Sequence, residues 1–247
     1  MLLLAFDTAT PAVTVALHDG QRVLAETTTV DARRHGELLA PSIAKVVADA
    51  GAEQRDLTAI AVGVGPGPFT GLRVGLVTAR VFGQTLGIPV HGVCTLDVLA
   101  HAATPAAAGR EFLAVTDARR KELYWARYAP TGERREGPGV ERPAELPSTL
   151  PVAGQAVSLY PGQLGEPIWP EHPSAAVLAT LVAAALSGAA DAPQTPGAPQ
   201  TPSAPASTPA TSASPAPSAP VELLPPEPLY LRRPDAQIPG PPKRVTP

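Results

Sequence analysis

The segment GVGPGPFTGLR, residues 63–73, has residue types and spacing that could bind an anion. Gly65 and Gly67 permit backbone conformations that other residues avoid, and Thr70 is predicted to cap the helix that follows. Free N–H groups at a helix start attract negative charge, and Arg73 could add a charge-assisted hydrogen bond. The segment matches neither common phosphate-binding glycine motif, so a tight turn without a ligand is an equal interpretation. The candidate anion- or nucleotide-binding residues are Asp7, Gly65, Gly67, Thr70, Gly71 and Arg73.

The predicted helix over residues 70–86 carries a stripe of small side chains. Gly71, Gly75, Ala79 and Gly83 recur every four residues, so another backbone could approach this helix closely. Valines cover other sides, which is typical of a helix that is buried on more than one side. We expect this helix and a second amphipathic helix, over residues 37–50, to present an apolar surface to a partner. The predicted interface residues are His35, Leu38, Leu39, Ile43, Val46, Gly71, Val74, Gly75, Val77, Ala79, Val81 and Phe82.

The elements that must position these segments form two similar groups. Three strands are predicted in the first thirty residues. One further strand follows each of the two helices, at residues 57–65 and at residues 88–93. A short helix is predicted over residues 96–102, and residues 133–160 are predicted to be irregular. An apolar strand that ends in Asp and is followed by a second strand occurs twice, at Asp7 and at Asp117. This repetition indicates one strand–turn–strand unit used twice. Ser174 is predicted to cap a last helix.

Composition restricts the classes of function. A formal net charge of -3 builds no strong basic field for nucleic acid, and the patch at residues 119–121 is interpreted as a solvated hairpin turn in preference to an RNA contact. The single cysteine excludes an intrachain disulfide. The longest apolar stretch after the N-terminus, residues 175–186, is shorter than the about 20 residues of a membrane span. No secretory leader is visible, so a soluble, cytoplasmic protein is expected. Residues 191–220 contain no large apolar side chain and are predicted to be a disordered linker.

Four ordered motifs are similar to those of the TsaB (YeaZ) family. They are LLLAFDTAT at the start, RRHGELLAP, GVGPGPFTGLRVG and TDARRKELYWARY, and PLYLR resembles the family's closing motif. The resemblance implies an α/β protein with the actin-like ATPase (ribonuclease-H-like) fold, built from two half-domains with mixed sheets, of which the second is reduced. The expected domains are an N-terminal half-domain over residues 1–106, a C-terminal half-domain over 107–190, the linker over 191–220 and a C-terminal segment over 221–247.

The resemblance also implies a role without catalysis. Members of the family act as scaffold subunits of the complex that transfers threonylcarbamoyl to N6 of adenosine 37 in tRNAs reading codons that start with adenine. Pairing with a TsaD-like catalytic subunit through the two helices of the first half-domain is implied, and a TsaE-like ATPase also joins the complex. A homodimer through much the same surface is implied when the protein is alone. Contact with tRNA is expected to be indirect. No tightly bound cofactor is expected, although ATP or ADP could lie at a partner interface.

Two enzymatic alternatives stay open. A metallopeptidase, or the metal site of the catalytic paralogue, would need paired histidines, but no two of the five histidines are four residues apart, so no metal is expected. An actin-like ATP-dependent phosphotransferase would use Asp7 near magnesium and a second glycine-rich loop. The turn after Asp117 is basic and free of glycine. Asp7 is therefore expected to have a structural role, such as hydrogen bonding to a turn.

Overall fold

The computed structural model describes residues 1–147, 149–190 and 221–232. The predicted linker and the residues after 232 lie outside this description. Within these ranges, none of the helices combines the length and apolar character that crossing a lipid bilayer requires.

The first sheet contains five strands in the order β3-β2-β1-β4-β5. The strands β1 to β3 pair in antiparallel fashion, while β4 and β5 continue the sheet in parallel beside β1. Every residue of β1 and β2 is buried because helices cover both faces of the sheet, which explains the continuous apolar run at the N-terminus. The strands are β1 (Leu3–Asp7), β2 (Ala12–His18), β3 (Val23–Val30), β4 (Ala59–Gly63) and β5 (Val90–Val93).

Within the described residues, five α-helices accompany the sheets. Two of them pack on one face of the first sheet, where Leu4 and Phe6 point, and the last helix packs on the opposite face with Leu3 and Ala5. Gly87, with φ of 68°, ends α2 in the left-handed conformation. Ser174 accepts a hydrogen bond from the Val177 N–H at 3.3 Å and so caps the last helix, as predicted. The helices are α1 (His35–Asp49), α2 (Phe69–Leu86), α3 (Thr95–Ala107), α4 (Ala156–Leu159) and α5 (Ala175–Ala190).

The second sheet repeats the plan of the first. Its order is β10-β9-β6-β7-β8, which read from the other edge has the same sequence of neighbours as the first sheet. The strands β6 to β8 are antiparallel, and β9 lies parallel to β6. With two strands of two residues each, this half-domain is the reduced one. The strands are β6 (Phe112–Asp117), β7 (Leu123–Tyr128), β8 (Arg134–Glu141), β9 (Val152–Ala153) and β10 (Pro167–Ile168).

The prediction of an irregular segment over residues 133–160 is wrong. Strand β8, strand β9 and helix α4 all form within it. The sequence of β8, RREGPGVE, contains two glycines and a proline and lacks an apolar alternation. It forms a strand because it pairs along β7 at the edge of the sheet, and this pairing is a tertiary contact.

Residues 221–232, which we term the C-terminal strap, run across both half-domains. Leu224 exchanges two backbone hydrogen bonds of 2.8 Å with Gly92 of β5, and the Leu229 N–H donates to the Val64 carbonyl oxygen at 2.9 Å. Both leucines pack against the apolar clusters of the first and the second half-domain. The closing motif PLYLR therefore joins the two halves of the fold.

Candidate functional site

The stripe of small residues on α2 faces the chain's own sheet. A Cβ atom on Gly71 would lie 2.5 Å from the Thr8 carbonyl oxygen, and one on Gly75 would lie 2.5 Å from Thr8 Oγ1. The Thr8 hydroxyl donates to the Gly71 carbonyl oxygen at 2.8 Å and accepts from the Gly75 N–H at 3.1 Å. Ala79 is completely buried. The prediction that Gly71, Gly75 and Ala79 lie at a partner interface is therefore wrong, because Thr8 packs against the two glycines and Ala79 lies in the core.

Three predicted interface residues of α1 are also internal. Leu39, Ile43 and Val46 are at most 1% exposed and belong to the core between α1, α2 and the sheet. Their helical spacing marks the face that packs on the sheet, so the prediction that they contact a partner is wrong. Leu38, off that face, is only partly buried.

An apolar surface remains open on α2, and we term it the valine face: Val74, Val77 and Val81. Val77 is 59% exposed and Val81 is 55% exposed, while Val74 is partly buried against the core. The three residues lie one above another at helical spacing. Full burial of a valine side chain is worth roughly 1.5–3 kcal/mol, so a partner that covers this face gains binding free energy. Phe82 and Leu38 lie partly buried beside the same core.

His35 links the start of α1 to the turn between β1 and β2. Its ring is 7% exposed, and Nε2 lies 2.8 Å from the Thr10 carbonyl oxygen. Because a carbonyl oxygen can only accept, Nε2 carries a proton and donates it. His35 therefore holds two backbone segments together, and its ring contributes little exposed surface for a partner.

A cavity of about 290 Å³ lies beside this turn. Of the predicted anion-binding residues, Thr70 and Gly71 line this cavity, whereas Asp7, Gly65, Gly67 and Arg73 do not. The starts of α1 and α2 both reach the cavity, so their N–H groups and the arginines favour negative charge there. Its polar and charged lining, with the two glycines, consists of Thr8, Thr10, Arg33, His35, Gly36, Thr70, Gly71 and Arg119.

The glycines of the glycine-rich turn are buried against other parts of the chain, and the Gly65 N–H donates to the Thr95 hydroxyl at 3.2 Å. Gly65 has a φ of 91° and, like Gly67, is buried. A Cβ on Gly67 would overlap the Ala9 carbonyl oxygen. The prediction that these glycines contact an anion is therefore wrong. The predicted cap at Thr70 is also wrong, because Pro68 occupies the cap position of α2 and no side chain caps the helix.

Asp7 is fully buried and ties the end of β1 to two other segments. One carboxylate oxygen accepts from the Ala9 N–H at 2.7 Å, and the other accepts from the Thr95 hydroxyl at 2.7 Å. Burial raises the pKa of Asp7 above its ordinary value, against the lowering effects of both hydrogen bonds and of His35. The expected hydrogen bonding of Asp7 to a turn is confirmed, and a purely structural role for this residue stays a prediction.

Arg73 contacts the C-terminal strap and not the cavity. Its Nε donates to the Tyr230 hydroxyl at 2.9 Å, and its guanidinium group lies over the Tyr230 ring, 5.9 Å from the ring centre. Sequence reasoning missed Tyr230 and Thr8 as site residues. The motif PLYLR carried a signal for Tyr230, whereas nothing local to Thr8 indicated that α2 packs on it.

Comparison with known proteins agrees with this architecture. The family model described as TsaD, tRNA N6-adenosine threonylcarbamoyltransferase, matches residues 22–163. An uncharacterized protein of Mycobacterium leprae is 49% identical over 177 residues, which are 68% of this chain and 48% of that protein. The Escherichia coli tRNA threonylcarbamoyladenosine biosynthesis protein TsaB is 37% identical over 128 residues, which are 52% of this chain and 55% of that protein. The chain thus spans about half the length of these two curated relatives.

A solved structure extends the likeness to the whole fold. YeaZ from Pseudomonas aeruginosa is 30% identical, with a TM-score of 0.66, and the superposition covers 76% of this chain and 95% of that one. The repeated sheet order in both half-domains is that of the actin-like fold. The chain belongs to the TsaB (YeaZ) family and has its actin-like fold.

Proposed function

We propose that this protein is a non-catalytic scaffold subunit in tRNA threonylcarbamoyladenosine biosynthesis. In this proposal it pairs with a TsaD-like catalytic subunit and a TsaE-like ATPase, which together transfer threonylcarbamoyl to N6 of adenosine 37 in tRNAs reading codons that start with adenine. The biosynthetic role is supported by the names of relatives such as the E. coli protein. The observation that carries the scaffold role is the valine face, with Val77 and Val81 more than half exposed.

The valine face suits a partner of the same fold. Helix α2 packs on the sheet through its small residues and turns two branched apolar side chains to solvent. The family model that matches this chain is named for the transferase, so a catalytic partner of that family would carry equivalent helices. Two equivalent helix surfaces can pack against each other, and a second copy of this chain could occupy the same surface when the partner is absent.

The burial and the hydrogen bonds of Asp7 support a role without catalysis. A carboxylate that binds magnesium must present free oxygen atoms to the metal and to solvent or substrate. Both oxygens of Asp7 accept hydrogen bonds inside the fold, and the residue is 0% exposed. We propose no resident cofactor for this subunit. An ATP or ADP at a partner interface would meet the cavity lined by Arg33 and Arg119.

Replacing Asp7 by Asn is expected to leave tRNA modification by the reconstituted complex unchanged. The amide can still accept from the Ala9 N–H and can donate to the Thr95 hydroxyl, so the fold should be retained, with a free energy of unfolding near neutral pH no lower than that of the wild type. A magnesium-binding aspartate would instead lose activity by roughly 100-fold or more on this change. A structural and a magnesium-binding Asp7 are distinguished by measuring tRNA modification in vitro. The assay contains a TsaD-like subunit, a TsaE-like ATPase and threonylcarbamoyl-adenylate.

The same variant has an expected pH signature. Burial raises the pKa of Asp7 in the folded state above the ordinary value of 3.8. The ionised carboxyl therefore destabilises the fold, and stability falls as pH rises from the unfolded-state pKa through the folded-state pKa. Asn does not titrate, so urea unfolding of the variant between pH 4 and neutrality should lack this decline. An identical decline in both proteins would assign it to another group.

The proposed function is tested by co-purification. A tagged form of this protein is expressed with the TsaD-like protein of the same organism, and tRNA modification is then measured with and without this chain. We expect a stable complex, no modification by this chain alone, and loss of modification when it is omitted. Full modification without it, or ATP-dependent phosphorylation by the isolated chain, would contradict the proposal.

A further inference from the structure

A basic groove lies on the second half-domain, away from α2. It is a surface cavity of about 410 Å³ between the turn that joins β6 to β7, the segment after β8 and the segment after α4. Three cations and one aromatic side chain converge on it. We term it the basic groove, and its lining residues are Arg120, Lys121, Arg142, Pro143, Ala144, Tyr160 and Gln163.

The turn between β6 and β7, which carries two of these cations, has a strained backbone that hydrogen bonds hold in place. Arg119, Arg120 and Lys121 all have left-handed backbone angles, with φ of 62°, 57° and 63°. This conformation costs non-glycine residues roughly 1–2 kcal/mol each. Three hydrogen bonds hold it: from the Arg119 N–H to Asp117 at 2.8 Å, from the Ala118 N–H to the Glu122 carbonyl at 3.0 Å, and from the Glu122 N–H to the Arg119 carbonyl at 3.1 Å. Retained strain of this kind is concentrated at functional sites.

The neighbouring carboxylates have other partners. Asp117 pairs with Arg119 at 3.2 Å, and Glu122 pairs with Arg232 of the C-terminal strap. Glu145 accepts from the Arg142 backbone N–H at 3.1 Å. Across residues 1–147, 149–190 and 221–232, neither Lys121 nor Arg142 has a side-chain ion pair with a carboxylate. Glu141 and Glu145 lie beside Arg142, so the groove keeps only a small excess of positive charge: Arg119, Arg120, Lys121, Arg142 and Arg232 stand against Asp117, Glu122, Glu141 and Glu145.

The arrangement suits a repeated anion better than a single one. Arg119, the residue before Arg120, lines the cavity beside the β1–β2 turn together with Arg33, so cations stand on both sides of the turn. A phosphodiester backbone presents one negative charge per nucleotide and can meet such a row. Tyr160 adds an aromatic surface on which an unpaired base can stack. Burial and the charge of Asp117 raise the pKa of Tyr160, so its hydroxyl stays a hydrogen-bond donor at neutral pH.

We infer that the basic groove binds the sugar–phosphate backbone of RNA, with Arg120, Lys121 and Arg142 on phosphates and Tyr160 against a base. The inference rests on the proposed function, in which the substrate is a tRNA. It replaces the indirect tRNA contact and the solvated turn expected from the sequence with a direct RNA contact. Because this surface is separate from the valine face, one subunit can bind its protein partner and the RNA at the same time.

The test compares two variants that lose the same charge. One carries Arg120→Gln, Lys121→Gln and Arg142→Gln, and the other carries Arg22→Gln, Arg55→Gln and Arg135→Gln, at exposed arginines that pair with nearby carboxylates elsewhere. Fluorescence anisotropy is measured with the full chain and a fluorescein-labelled tRNA transcript that reads a codon starting with adenine. We expect at least about tenfold weaker binding, and a salt dependence reduced by roughly three phosphate contacts, for the first variant alone. Equal binding by both variants would overturn the inference.

Further measurements separate the loss of RNA binding from misfolding of the turn and from binding of acidic peptides. Because Arg120 and Lys121 stand in a strained turn, Arg142→Gln alone is measured as well, and thermal unfolding checks each variant. Displacement of the RNA by polyglutamate at equal charge concentration would assign the groove to acidic peptides and overturn the inference. If the chain co-purifies with the TsaD-like subunit but does not bind RNA, only this inference fails. If it binds RNA but does not support modification, the proposed function fails.

Discussion

Replacing Val77 and Val81 by glutamate is expected to abolish pairing with the TsaD-like subunit and to leave a folded monomer. Both side chains are more than half exposed, at 59% and 55%, so a carboxylate there is solvated in the free protein. In a complex the same carboxylates would be buried without a partner charge, which costs roughly 3–5 kcal/mol. Pairing should weaken by more than about 100-fold. Affinity capture by the TsaD-like protein and light scattering during size-exclusion chromatography measure the loss.

The matched control introduces the same charges on a helix away from the valine face. Thr180 and Ala184 are exposed on α5, which packs on the opposite face of the first sheet, so Thr180→Glu with Ala184→Glu should pair as the wild type does. Thermal unfolding should be similar in all three proteins, because none of the four positions lies in the core. Undiminished pairing of the Val77→Glu, Val81→Glu variant would exclude the valine face as the interface.

Replacing Gly75 by leucine is expected to destabilise the fold itself. A Cβ atom at this position would already lie 2.5 Å from Thr8 Oγ1, and a leucine would push Thr8 away from α2. The hydrogen bonds from the Gly75 N–H to Thr8 and from Thr8 to the Gly71 carbonyl oxygen would both be lost. Overpacking and two lost buried hydrogen bonds together should cost about 3 kcal/mol or more. Urea unfolding followed by circular dichroism measures this change.

A glycine in an open helical position provides the control. Gly188 lies in α5, and a Cβ atom there would meet nothing within 4 Å. Gly188→Leu should therefore retain wild-type stability or exceed it slightly, since leucine has the higher helix propensity. A Gly75→Leu protein of normal stability that fails only to pair would restore the sequence-based interpretation, in which the stripe of small residues faces a partner.

Local sequence determined most of the elements of this protein. The apolar run before Asp7 is continuous because β1 is covered on both faces, and this pattern is visible in the residues themselves. The repeated strand that ends in Asp, at Asp7 and Asp117, correctly indicated two copies of one unit. Ser174 and Gly87 mark a helix start and a helix end through their own backbone and side-chain chemistry. The glycine-rich signature identified the family without any tertiary information.

Strand β8 and the C-terminal strap depended on contacts distant in sequence. The residues RREGPGVE have low strand propensity, and only the edge of β7 makes them a strand. Leu224 and Leu229 are more than thirty residues beyond the end of α5, yet they pair with β5 and with the residue after β4. Their position follows from unpaired backbone groups at that edge, which no local pattern of the strap reveals.

The division between sequence and structure is clearest on α2. The sequence by itself determined that this helix is apolar on most of its circumference and that one side permits close backbone approach. It could not determine which neighbour makes that approach, because small side chains accept any backbone, and Thr8 is more than sixty residues away. Only the tertiary structure decided that the glycines face the sheet and the valines face solvent, since the position of β1 relative to α2 is set by the packing of the whole half-domain.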